Sequence, residues 1–155
     1  MKKKNLLITL VLVLAAAVIG GVYLKGRSQA PSGSLAIVLD GSETLVDPFS
    51  APSVPVEGTT VNGKGEEKEI SETGAALKDV LALAGVGEGA YTSVRAVSSD
   101  EYGADLTEEE ISSGDRAFLV RDSSDEGQET IRLIVFGDTN SKRQVKDVVR
   151  IEILQ

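Results

Sequence analysis

An apolar run from Leu6 to Leu24, directly after a basic start at Lys2–Lys4, is the feature that most constrains how this chain can fold. A helix of about 20 apolar residues is long enough to cross the hydrocarbon core of a bilayer. Positive charge before such a helix favours retention of the N-terminus on the cytoplasmic side. The sequence therefore predicts a single-pass cell-membrane protein, with residues 1–27 as the basic start and transmembrane anchor, residues 28–34 as a linker, and residues 35–155 as an extracytoplasmic domain.

A cleaved signal peptide is the alternative interpretation of the same segment. Ser28–Ala30 offers small residues at a cleavage site, but Pro31 follows at once and the apolar run is long for a signal peptide. These two observations favour the uncleaved anchor, which makes the membrane a partner of the chain. Both interpretations export the domain.

The chain has no cysteine and no histidine, which removes many catalytic schemes. No disulfide, thiolate nucleophile, zinc–thiolate site or lipid-modified cysteine can form, and the commonest general base in proteins is missing. The 155 residues carry a net charge of −8, and residues 28–155 hold 11 basic and 24 acidic residues, a net charge of −13. This acidity and the absence of tryptophan argue against nucleic acid as a partner.

The main helix is predicted from apolar residues spaced i, i+3, i+4 and i+7 along Leu77–Ala84. Thr73 is its expected N-cap and Gly85 suits the residue after its end. A second, shorter helical turn is expected after Thr107, because Thr107 and Glu110 have the spacing of a capping box.

Short apolar or alternating runs predict the strands. Prolines between residues 47 and 60 prevent a regular helix there, and Val54, Val56 and Thr60-Val61 are candidates for edge-strand positions. Many short strands with one good helix indicate an α+β fold. The expected strands are Leu35–Leu39, which ends at Asp40-Gly41, then Tyr91–Ser98, the alternating residues 102–106, Ala117–Val120, Ile131–Phe136 and Val148–Leu154, with Val149, Ile151 and Ile153 facing inward.

Three further motifs are better explained by structure than by chemistry. The segment GVGEGA, Gly85–Ala90, contains the glycines of a nucleotide loop but follows a predicted helix instead of a strand. The acidic clusters Glu108–Glu110 and Asp122–Glu126 lack the spacing of an EF-hand calcium loop. Ser98–Asp100 has no activating base in view. We therefore expect a helix stop, solvated acids and a turn.

Basic residues gather near the end of this acidic chain, at Lys142, Arg143 and Lys146. They lie between two predicted strands, on a loop spanning Gly137–Asp147. One interpretation is that they are solvated cations that offset nearby acids. The other is an anion-binding loop in which Arg143 makes bidentate contacts.

The order of several motifs resembles the oxidoreductase molybdopterin-binding domain of the sulfite oxidase family. That family has a G-x-x-L-x-D-L-L helix, a strand into S-x-D-G-Y, an L-x-x-E turn, R-L-V-V-P-G, a K-x-V-K loop and a closing R-I-E strand. The resemblance covers about residues 70–154. It is carried by ETGAALKDVLALAGV, YTSVRAVSSDEYGADLTEEEI, RAFLVRD and IRLIVFGDTNSKRQVKDVVRIEIL.

The resemblance implies a sulfite-oxidase-like domain of mixed short strands with one main helix, and molybdopterin as a cofactor. Lys142 and Lys146 fall on the loop that approaches the cofactor's phosphate side in full-length members, and Arg143 lies beside them. The chain departs from the family in lacking the cysteine that binds molybdenum, in having Phe136 where proline is common, and in its shortness.

The expected function is therefore that of a non-catalytic extracytoplasmic domain that binds an envelope protein partner or a small anion. A molybdopterin-dependent oxidoreductase, or a subunit of one, is the alternative. A purely structural module of an envelope assembly is a third hypothesis.

Overall fold

The computed structural model describes residues 33–123 and 129–155. The chain divides into two compact units, Met1–Pro31 and Ser32–Gln155, and every described element belongs to the second. The predicted membrane span at Leu6–Leu24 lies outside the described residues. Within the described part, no helix is long and apolar enough to cross a membrane.

The α+β fold class predicted from the sequence is wrong, because the described residues are mostly β-sheet. Strands hold 51% of them and helical turns 13%, and the strands form two sheets. A large part of the error is Glu67–Ala76, a ten-residue strand whose end, from Thr73 on, the sequence predicts as the start of the main helix. The expected sulfite-oxidase-like arrangement of short strands with one main helix fails with it.

The described strands and helices follow one another closely along the chain. The strands are β1 Leu35–Leu39, β2 Ser42–Val46, β3 Val54–Val61, β4 Glu67–Ala76, β5 Ser93–Ser98, β6 Gly103–Thr107, β7 Ala117–Ser123, β8 Glu129–Val135 and β9 Val148–Leu154; the helices are α1 Leu77–Leu83 and α2 Glu108–Ser112, with a 3₁₀ turn at Pro48–Ser50.

The five-stranded sheet has the strand order β2-β1-β9-β5-β6. Strands β1 and β9 run parallel, and all other neighbours are antiparallel. The β1–β2 hairpin turns at Asp40-Gly41, whose φ values of 51° and 78° are both positive, as a type I′ turn requires. The strand end predicted at this dipeptide is confirmed.

The four-stranded sheet has the order β3-β4-β7-β8 and is antiparallel throughout. Strand β3 is one of its edges, as the prolines around it predict. Strand β4 pairs with β3 through Glu67–Gly74 and with β7 through Gly74–Ala76.

The main core contains side chains from both sheets and from α1. Leu77, Val80 and Leu81 are fully buried, so the predicted apolar stripe is confirmed. Thr73 is not the N-cap, because it lies in β4; the helix begins after Ala76, which has no capping side chain. The capping box at Thr107 is present and opens α2.

A second, smaller apolar cluster joins the β3–β4 hairpin to β7 and β8. The ring of Phe136 lies against Gly58, where a Cβ atom would come within 2.8 Å of the ring. The cluster thereby holds β3 against the rest of its sheet. Its buried members are Val56, Ile70, Ala76, Phe118, Val120 and Ile134.

The inward face of β9 differs from the prediction at one position. Ile151 and Ile153 are buried as expected, but Val149 is 37% exposed and Val148 is buried instead. The pairing of β5 with β9 shifts register between Val97 and Ser98. A register shift breaks strict alternation, so the predicted period of two fails at the start of this strand.

Candidate functional site

The basic loop between β8 and β9, residues 138–147, runs along the outer edge of β8. The backbone N–H of Leu133 donates to the Val145 carbonyl over 2.8 Å. The Gln144 side chain bonds the backbone of Val135 twice: Oε1 accepts from the N–H at 3.1 Å, and Nε2 donates to the carbonyl at 2.6 Å. A side-chain amide thus takes the place of a neighbouring strand and closes this part of the sheet edge.

Two carboxylates hold the guanidinium of Arg143, within the same loop. Nη1 and Nη2 donate to the two oxygens of Glu110 over 2.7 and 2.8 Å. Nε and Nη2 donate to Asp138 over 2.8 and 2.5 Å, and Nη1 also donates to the Asp105 carbonyl over 3.2 Å. Because Asp105 lies in β6, this one side chain ties the loop to the edge of the other sheet.

Arg116, just before β7, completes an arginine–carboxylate cluster of Glu110, Arg116, Asp138 and Arg143. Its guanidinium lies 3.3 Å from Glu110 and 3.6 Å from Asp138, and its Nε donates to the Phe136 carbonyl over 3.1 Å. The side chains of Glu110 and Asp138 are only 15% and 13% exposed. Two cations therefore meet two largely buried anions, and the charges of the cluster balance.

The contact between Glu110 and Arg143 shifts the pKa values of these two side chains. Hydrogen bonds from Arg143 hold the pKa of Glu110 at about 2, below its ordinary value of 4.5. Burial of Glu110 opposes this shift, while the Thr107 backbone N–H and the charges of Arg143 and Arg116 add to it. The hydrogen bonds that Arg143 donates to Asp138 and Glu110 raise the pKa of Arg143. The Glu110–Arg143 pair is therefore fully ionised at neutral pH.

The three basic residues predicted to bind a ligand are placed differently from one another. Lys142 and Lys146 are exposed, as predicted. The guanidinium of Arg143 is partly buried and already bonded to Glu110 and Asp138. Arg143 therefore does not share an exposed patch with the two lysines. Ligand binding by these residues stays a prediction.

The turn Ser98–Tyr102 packs on the 138–147 loop. The Tyr102 hydroxyl donates to the Lys142 carbonyl over 2.5 Å. The backbone N–H of Ser99 donates to the Asp147 carbonyl over 3.1 Å, and the Ser99 hydroxyl donates to the Asp147 carboxylate. Two segments that carry the family resemblance, S-S-D-E-Y and the basic loop, are thus neighbours in space.

Of the other motifs, Gly85 and Ser98–Asp100 have the structural roles expected of them, but the expectation of solvated acids at Glu108–Glu110 is wrong for Glu110, which is largely buried and ion-paired. Gly85 follows α1 with a φ of +77°, as a helix stop requires. The Ser98 hydroxyl donates to the Asp100 carboxylate over 2.5 Å, which lowers the pKa of Asp100. The acidic segment Asp122–Glu126 lies partly outside the described residues. Among the residues that are described, no group of His, Cys, Asp and Glu could hold a metal ion.

Sequence reasoning missed the partners of Arg143. Glu110 was explained completely by its capping role, and it does accept from Thr107 as a capping glutamate. Nothing in its spacing showed that the same carboxylate also bonds an arginine 33 residues later. Asp138, an acidic residue five positions before Arg143 in the same loop, was the one local signal that could have suggested an internal ion pair.

Comparison with known proteins gives no match to a protein-family model and no match to a curated protein.

Proposed function

We propose that residues 35–155 form a non-catalytic binding domain outside the cytoplasm, tethered to the cell membrane by the N-terminal segment, and that the domain binds another protein. The tether rests on the bilayer-length apolar run of Leu6–Leu24. The non-catalytic role is supported by a chain that has no cysteine, one of the common nucleophiles, and no histidine, the most frequent general base.

One observation favours a protein over a small anion as the ligand: the guanidinium of Arg143 is already paired with the carboxylates of Glu110 and Asp138. Arginine is the side chain suited to bidentate recognition of phosphate or sulfate. An anion at this arginine would have to displace two carboxylates that lie closer than 3 Å to it. The basic loop therefore serves first to close the edges of β6 and β8.

Position-specific photo-cross-linking tests the proposal. A photoreactive amino acid is placed at one exposed position at a time in the full chain, in its own membrane. We expect one contiguous surface to give a saturable cross-link to a protein, while exposed positions elsewhere, such as Glu88, give none. The absence of a protein cross-link from every exposed position would overturn the proposal.

A small anionic ligand is the second candidate, and the contact between Tyr102 and Lys142 favours it. That contact puts an exposed tyrosine beside a loop whose lysines, Lys142 and Lys146, have exposed side chains. The residues fit a pterin cofactor poorly, because the lysines stand on the surface and Arg143 is engaged. Molybdenum and pterin analysis of the purified full chain tests the oxidoreductase alternative, which predicts stoichiometric cofactor.

A further inference from the structure

Strand β3 presents one of its two long sides to no described neighbour. It pairs with β4 in antiparallel register from Val54↔Gly74 to Val61↔Glu67. The Asn62 backbone N–H donates to the Glu66 carbonyl over 2.8 Å, which continues the same register into the turn. In an antiparallel ladder the residues bonded to the neighbouring strand alternate with residues whose N–H and carbonyl groups point the other way.

This alternation identifies the groups on the free side of β3. Because Asn62 is bonded across the hairpin, Val56, Gly58 and Thr60 are bonded to β4 as well. The N–H groups of Glu57, Thr59 and Val61 then point away from the sheet. Pro55 belongs to the same set, and a proline, which has no N–H, is tolerated on that side of an edge strand.

Two other edge strands, β8 and β6, differ from β3 because the basic loop bonds to them. The β8 edge is closed by Gln144 and Val145, and a carbonyl at the β6 edge, that of Asp105, is bonded by Arg143. Among the described residues, no such bond reaches the outward groups of β3. Open edges invite pairing with another chain, and proteins usually cover or blunt them.

The conformation of β3 is also fixed in the absence of a partner. Val56 is fully buried and Thr60 is 7% exposed, and the ring of Phe136 lies against Gly58. A strand that is already fixed loses little conformational entropy when a second strand pairs with it.

Charge indicates which partner fits. The side chains of Glu57 and of the pairs Thr59↔Glu69 and Val61↔Glu67 share the solvent face of the β3–β4 hairpin. That face carries three exposed glutamates and no cation in the paired region, since Lys68 is opposite Thr60 on the other face. Opposite charges on neighbouring strands stabilise pairing, and like charges destabilise it.

We propose that the free edge of β3 is a strand-addition site for an extended basic segment of a partner protein. The proposal rests on the proposed function, and it names the surface and the chemistry of the partner. An added strand places every second side chain on the glutamate face and the others beside Val56 and Gly58. The fitting segment therefore alternates lysine or arginine with small apolar residues. Pairing with a second copy of β3 is disfavoured, because it brings two sets of glutamates together.

Amide hydrogen exchange measured by NMR on the full chain tests the proposal, with a short peptide of alternating lysine and valine as the probe. We expect this peptide to slow exchange at Glu57, Thr59 and Val61, the three outward N–H groups. A matched peptide of alternating glutamate and valine should leave those amides unchanged. No slowing with the basic peptide, or equal slowing with both peptides, would overturn the proposal.

Two variants make the result specific to the edge. Thr59→Pro removes an outward N–H but no bond to β4, so it should abolish peptide binding while the β4 amides stay protected. Glu57→Lys should weaken binding of the basic peptide by about threefold or more, whereas Glu88→Lys, the same change on a distant loop, should not. Equal weakening by both lysine variants would contradict the assignment.

The experiments distinguish failure of the β3 edge site from failure of the proposed protein-binding function. Cross-links to a protein from another surface, with no protection at β3, would overturn the edge site and leave the protein-binding function standing. Absence of any protein cross-link would overturn both.

Discussion

Arg143 and Glu110 form a bidentate ion pair, with nitrogen–oxygen distances of 2.7 and 2.8 Å, that joins the 138–147 loop to helix α2. The pair accounts for one of the three cations that gather in this loop of a domain with a net charge of −13. The loop closes the side of the molecule where β6 and β8 end their sheets. The arginine is therefore an architectural residue in this account.

Loss of the arginine should destabilise the domain. Arg143→Ala leaves Glu110 and Asp138 largely buried and short of a partner, and we expect a loss of about 1–3 kcal/mol in the free energy of unfolding. The measurement is urea denaturation at neutral pH. Lys142→Ala, in the same loop with an exposed side chain, should change stability by less than about 0.5 kcal/mol. Equal losses for the two variants would show that Arg143 is merely solvated.

The ion pair should also appear in the pH dependence of stability. The pKa of Glu110 is about 2 in the folded chain and lies near its ordinary 4.5 when unfolded. A depressed pKa stabilises the fold above the unfolded value, and that stabilisation is lost as the pH falls from about 4.5 toward 2. Glu110→Gln should therefore flatten the loss of stability in this window, measured by urea denaturation. Glu109→Gln, at an exposed neighbour, should keep the wild-type slope.

Closure of the β8 edge by Gln144 predicts a local effect on amide exchange. Gln144→Ala removes both bonds to the Val135 backbone, so exchange of the Val135 N–H should become faster. The expected loss of stability is about 1–2 kcal/mol, because one partly buried backbone pair loses its partner. Unchanged exchange at Val135 would mean that another group closes this edge.

Helix α1 offers a matched pair of leucines that tests the core. Leu81 is fully buried and Leu83 is 41% exposed on the same helix. Leu81→Ala should cost about 2–5 kcal/mol in thermal or chemical unfolding, and Leu83→Ala should cost well under half of that. Similar melting shifts for the two variants would contradict the observed helix face.

Local signals in the sequence located several elements correctly. Three of these features depend only on neighbours within a few residues, so the sequence predicts them. They are the apolar stripe of Leu77, Val80 and Leu81, the capping box at Thr107 and the strand end at Asp40-Gly41. The same locality explains one error. Thr73, followed by Gly74 and two alanines, resembles a helix start in the sequence. Pairing of this segment with β3 and β7 makes it part of strand β4 instead.

The remaining errors concern relationships between distant residues. Strand β4 shows little apolar alternation, because its Ile70 faces the small second cluster and its exposed face is polar and largely acidic. The two-sheet arrangement depends on pairings such as that of β1 with β9, which no local sequence pattern predicts. The candidate site shares this problem, since the role of Arg143 is decided by Glu110 on a different element.

The central claim is that the domain recognises a protein and that its basic loop is a structural closure. A titration of the isotope-labelled full chain with phosphate at low salt, followed at the amide signals of residues 137–147, tests it most directly. The account predicts no saturable shift in that segment at millimolar phosphate. A saturable shift that disappears when Lys142 and Lys146 are both changed to alanine would contradict it and make the small-anion function the better one.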